Sequence, residues 1–151
     1  MTISLLLTDI TDAIAGLSIS GVTIRDVDQI SANWQSVPNV LYPNPEGFIS
    51  DMVLDYRSFL RGASAPVDVS YTLNYRFLNV QIGDLGNMAA QYGDMVSKLT
   101  TIINALMSED APYSGKVDLA VLAVSVGARA DPAGNLYHGA DIALRIMEQQ
   151  N

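Results

Sequence analysis

Between Val67 and Phe77 the chain alternates without a miss: Val67, Val69, Tyr71, Leu73, Tyr75 and Phe77 are apolar, and Asp68, Ser70, Thr72, Asn74 and Arg76 between them are polar. Successive strand side chains project to opposite faces, so this period of two predicts a long strand with one dry and one wet face. Elsewhere the period changes. Ile3, Leu6, Leu7, Ile10, Ile14 and Leu17 recur at helical spacing with Ser4, Thr8, Asp9, Thr11 and Asp12 opposite, predicting a helix over Ile3 to Leu17 framed by Gly16 and Gly21. Met88, Tyr92, Met95, Val96, Leu99, Ile102, Ile103 and Leu106 step by three or four against Asp94, Ser97, Lys98, Thr101 and Asn104. They predict a second helix, with Asn87 as its N-cap.

The remaining segments are shorter. Val22 to Val27 reads as a short strand and Ile30 to Trp34 as a turn. In VPNVLYPNPEG, Val37 to Gly47, prolines remove amide donors and forbid helix, which leaves Asn39 to Tyr42 as at most a short extended piece. Ile49 to Phe59 alternates as a strand, and LRGASAP, Leu60 to Pro66, is a loop of the length that joins two hairpin strands. LAVLAVSV, Leu119 to Val126, is apolar on both sides and predicts a central strand. A turn at Asp131 to Asn135 then leads into Leu136 to Met147, with Ile142, Leu144 and Ile146 pointing inward.

These elements predict one α+β domain over residues 1–151, a two-layer sandwich. Its sheet is mostly antiparallel with two helices on one face, in the order α-β-β-β-α-β-β. If Leu122, Val124 and Val126 face the helices, then Leu119, Val121 and Ala123 face away, beside Met147, as an exposed apolar patch. Such patches mark contacts between subunits. Leu119, Val121, Ala123 and Met147 are accordingly the candidate subunit interface, and a sheet that curls on itself is the competing explanation.

Composition narrows the classes of function. The 16 acidic residues against 8 basic ones give a net charge of −8, which repels nucleic-acid phosphate and anionic lipid. A passage through which DNA slides without sticking wants the same sign. No tract approaches the roughly 18 apolar residues of a membrane span. The start MTISLLLTDITDAIAG carries Asp9 and Asp12 and no basic leader, a poor signal peptide. With no cysteine, disulfides, thiolate metal sites and cysteine catalysis are excluded, and a cytoplasmic setting fits best.

No catalytic, cofactor-binding or metal-binding set emerges from the residues. His138 is the only histidine and opens a predicted strand, where a partly exposed structural role is the ordinary expectation. Asp26 and Asp28 lack the glycine turn and bidentate glutamate of a calcium loop. GDLGN, Gly83 to Asn87, lacks the lysine and hydroxyl of a phosphate loop and places Asp84 where an anion would sit. Tyr71, Tyr75 and Phe77 share the dry face, which makes them core rather than a base-stacking platform. What remains is Arg57, Arg61 and Arg76 around the hairpin, read either as solvated decoration or as groups that dock a partner's carboxylates.

The segment VPNVLYPNPEGFI, the hairpin DYRSF…VSYTLNYRFL, the amphipathic helix and the final YHGADIALRIME together resemble small tail-terminator or tail-completion proteins of long-tailed bacteriophages, over roughly Ile30 to Glu148. The resemblance implies a virion protein, assembled in the host cytoplasm, that forms a ring, usually of six copies. That ring sits on the tail tube protein, stops tube growth and presents a surface to the head–tail connector, while DNA passes through without specific binding. It also implies no cofactor. Arg57, Arg61 and Arg76 would be docking groups, and the strand at Leu119 to Ala123 the ring contact. A neck or adaptor protein between head and tail is the near alternative. From another class, the alternative is a small ligand-binding or enzymatic domain with a pocket under residues 38–45.

Overall fold

The computed structural model describes residues 5–30, 34, 37–56, 67–82, 88–108, 111, 113 and 115–150. Helix α1 spans Leu7–Ala15 and buries Ile10, Thr11 and Ile14; the predicted first turn at Ile3 and Ser4 lies outside the described residues. Strand β1 is only Thr23–Ile24. It stops short of the predicted Val27 because Asp26 caps a 3-10 turn, Val27–Gln29. The Asp26 carboxylate accepts the Val27 N–H at 2.7 Å, and the Gln29 side chain accepts the Asp26 N–H at 2.7 Å. Such local side-chain bonds offer the backbone an alternative to a ladder.

Strand β2, Val40–Pro43, is the extended piece expected between the prolines, and it adds one strand to the predicted order. Strand β3 spans Ile49–Tyr56, β4 Val67–Gln81, helix α2 Met88–Leu106, β5 Asp118–Ala130 and β6 Leu136–Gln150. Arg57 to Pro66 and the GDLGN loop, Gly83 to Asn87, lie outside the described residues.

The sheet has six strands in the order β1-β2-β4-β6-β5, with β3 also on β4. Only β1 and β2 run parallel. Along one side of β4, β2 lies opposite Leu78 to Tyr75 and β3 opposite Leu73 to Val67, so the two run end to end. Asn74 bridges the junction: its side chain donates to Gly47 O at 2.8 Å and Ser50 Oγ at 3.2 Å. On its other side β4 pairs with β6 from Val67↔Gln150 to Gln81↔Tyr137, and this long pair is the centre of the molecule.

One face of that centre is dry. Val69, Tyr71, Leu73, Tyr75 and Phe77 of β4 and Ala140, Ile142, Leu144 and Ile146 of β6 are buried against Ile10 and Ile14 of α1 and Met95, Leu99, Ile102 and Leu106 of α2. Both helices thus cover the same face. Each large side chain removed from water there is worth about 1.5–3 kcal/mol. Val96 does not join them; it is exposed on α2.

The opposite face is not left bare along its whole length. Trp34, Val40, Tyr42, Leu78 and Tyr137 form a second buried cluster, with Ile30 and Val37 packed on it. Ile30, Trp34 and Val37, from between β1 and β2, therefore pack under the sheet, and Arg25 adds to the cluster with its guanidinium 4.5 Å from the Trp34 ring centre. A bulge between Leu78 and Val80 lies beside it. Opposite this bulge, a Cβ on Gly139 would sit 2.4 Å from the Phe77 carbonyl oxygen, so only glycine permits the approach.

One expectation fails in position. Leu119 to Val126 does not lie in the centre of the sheet: β5 pairs with β6 alone and is an edge strand. Its two-sided apolarity comes from small alanines and from a bulge, not from burial on both faces.

Candidate functional site

The chemistry available at the surface is concentrated on the two long borders of the sheet and on the polar half of its uncovered face. Strand β5 supplies one border. From Leu119 to Ala128 it contains no charge and no proline, two of the devices that blunt an edge. Its register against β6 slips between Val121 and Ala123, leaving Leu122 as the bulged residue with no opposite number. Leu119, Val121 and Val124 pack on the core, and Val126 shares their face but lies 44% exposed. Leu122 is 58% exposed.

The candidate interface residues are therefore divided. Leu119 and Val121 face the helices, contrary to expectation, because the bulge puts Val121 and Val124, three apart, on one face and breaks the two-residue alternation. Ala123 and Met147 do lie on the open face, opposite Ala143 and Asp118, and Met147 is 43% exposed. Alternation places Leu122 with the inward set, yet it is the most exposed large apolar side chain among the described residues.

Strand β3 supplies the other border. Between Ser50 and Val53 its register against β4 also slips, and Asp51 takes a left-handed φ of 52°. Met52, Val53 and Leu54 are all exposed, Val53 at 53%. The bulge is held from across the sheet: Arg145 of β6 donates to Ser70 Oγ at 2.8 Å and to the Asp51 carbonyl at 3.4 Å.

On the open face Arg76 is engaged rather than presented. Its Nε donates to Asp141 Oδ1 at 2.8 Å and its Nη1 to Ala130 O at 3.1 Å, and its side chain is only 12% exposed. Arg129 donates to the other Asp141 oxygen at 2.9 Å and to Ser125. Burial opposes the Arg76 charge, but the bonds and attraction of Asp141 more than offset it and raise the Arg76 pKa. Burial pushes the nearby Tyr42 hydroxyl up to about 12, against the lowering effect of Arg76. Arg76 thus anchors the β5–β6 hairpin to β4. Arg57 and Arg61 lie outside the described residues.

Other polar groups serve the fold. Glu148 is buried and accepts the Leu6 N–H at 2.8 Å and the Tyr71 hydroxyl, tying the start of α1 to the sheet. His138 is buried, not partly exposed, and shares a 3.0 Å hydrogen bond with the Tyr92 hydroxyl through Nδ1. A groove of about 360 Å³ between α1 and the 3-10 turn is lined by Leu7, Thr11, Asp12, Asp26, Asp28 and Phe48. There a hydrogen bond with Asp26, followed by burial and repulsion from Asp26, Asp28 and Asp9, raises the Asp12 pKa. Within residues 38–45, the segment of the alternative ligand pocket, Val40 and Tyr42 pack with Trp34, Leu78 and Tyr137. No helix among the described residues is long and apolar enough to cross a membrane, and none of their His, Asp and Glu side chains cluster in a group that could hold a metal.

Compared with known proteins, the chain matches no family model and no curated protein.

Proposed function

We propose that this chain is a structural protein of a long-tailed phage virion, one that assembles into a ring on the end of the tail tube, ends tube polymerisation and offers a surface for head attachment. Six copies is the number that the sequence resemblance implies. The observation that carries the reading is the β5 border: a 13-residue strand, uncharged through its middle, whose outer edge pairs with no other strand among the described residues. Exposed, long, apolar edges template pairing with another chain. A net charge of −8 suits a lumen that DNA traverses without adhering. Arg57 and Arg61 remain the proposed contacts to the tube protein.

Negative-stain imaging of particles made without this protein tests the reading. Overlong tails without heads are the expected result. Tails of normal length without heads would assign the chain to the neck instead, and normal, headed particles would refute both.

A further inference from the structure

Strand directions decide how one copy can meet another. Because β3–β4, β4–β6 and β6–β5 are all antiparallel, β5 runs opposite to β3 across the sheet. A second copy set beside the first, with its helices on the same side, brings its β3 against β5 in antiparallel register without turning either strand over. From this polarity we infer that the two borders are mates: β5 of one copy pairs with β3 of the next, and the sheet continues from subunit to subunit.

Side chains agree with the geometry. Each border carries a bulge at its exposed apolar centre, Leu122 on β5 and Met52 beside Val53 on β3. A two-fold pairing of β5 with another β5 would also be antiparallel, but it would leave Met52, Val53 and Leu54 in water. Head-to-tail pairing covers both borders with a single operation, the kind of contact that closes into rings. Bulges bend and twist the strands that carry them, which favours a curved succession of subunits over a flat one.

The length of β3 limits the contact to 8 residues. That is small beside the roughly 1,600 Å² of a standard interface. One contact therefore holds two copies weakly, and closure, which gives every copy two contacts, stabilises the set.

This inference rests on the ring reading above, and its test separates the two. The chain has no cysteine, so introduced thiols report alone. Leu122→Cys protein is mixed with Met52→Cys, Val53→Cys or Leu54→Cys protein in the presence of tube protein and oxidised. At least one mixture is expected to yield roughly tenfold more cross-linked dimer than Leu122→Cys alone. The matching double variant is expected to yield a covalent ladder ending at the ring size. Leu122→Lys, at an exposed site, is expected to remain folded by circular dichroism yet fail to assemble. Two results would overturn the inference: a Leu122–Leu122 dimer as the main product, or rings visible by electron microscopy with no β5–β3 cross-link. The second leaves the ring function standing, whereas a β5–β3 ladder without capped tubes would sink the function and leave the edge pairing intact.

Discussion

Glu148 offers the sharpest test of how the first helix is attached to the sheet. It is 2% exposed and serves two donors at once, the Leu6 amide at the start of α1 and the Tyr71 hydroxyl in the middle of β4. Burial first, and then Glu148, raise the Tyr71 pKa, so the hydroxyl keeps its proton and donates. Glu148→Ala leaves both donors without their acceptor. A buried donor left unsatisfied costs about 1–3 kcal/mol, and the half-buried Leu6 amide, which water can reach, belongs at the low end. Relief of the carboxylate's own desolvation offsets part of this. The net expectation is a loss of about 1–3 kcal/mol in urea titration, with Tm lower by roughly 2–12 °C for a chain of this size.

Glu148→Gln keeps an oxygen for Leu6 and can donate to the tyrosine oxygen, so about 1 kcal/mol or less is expected. A double-mutant cycle with Tyr71→Phe isolates the pair, and a coupling of about 1 kcal/mol or more is expected. Glu148→Ala within about 0.5 kcal/mol of the parent, or additivity with Tyr71→Phe, would refute the bridge.

Two further substitutions probe other parts of the fold. Gly139→Ala brings a Cβ to 2.4 Å from a backbone oxygen that cannot swing away, and a loss of about 1–3 kcal/mol is expected by chemical denaturation; a neutral result would show that the bulge at Leu78 relaxes freely. Asp12 has a raised pKa, so the folded state holds its proton more tightly than the unfolded chain, and stability falls as pH rises from the ordinary value of 3.8 through the raised one. Asp12→Asn is expected to raise Tm at pH 7, with the gain vanishing below pH 3.8; equal gains at both pH values would contradict this.

The parts legible in the sequence are those where one period runs unbroken. β4, β6 and α2 declare themselves by alternation or by helical spacing, and most of their inward residues, from Tyr71 and Phe77 to Leu99 and Ile146, are buried as the pattern requires, Val96 on α2 excepted. β5 misleads for two physical reasons. Alternation carries phase, and a single bulged residue, Leu122, reverses that phase without any mark in the sequence. Two-sided apolarity suggests burial on both faces, whereas Ala120 and Ala123 are small enough to stand at an edge. The second cluster leaves little trace because Ile30 to Trp34 has no period at all; its one signal is a bulky aromatic amid Ile30 and Val37, which needs shelter wherever the chain runs. The burial of His138 is not legible in the sequence because its partner, Tyr92, lies 46 residues away on a different element.

Trp34 has a practical consequence. It is the only tryptophan of the chain, its ring centre lies 4.9 Å from that of Tyr42, and Arg25 lies over it. Its emission will register melting of that corner while staying blind to subunits joining along the β5 or β3 border. One fluorophore can therefore follow unfolding under conditions where light scattering follows polymer growth, and the two signals need no deconvolution.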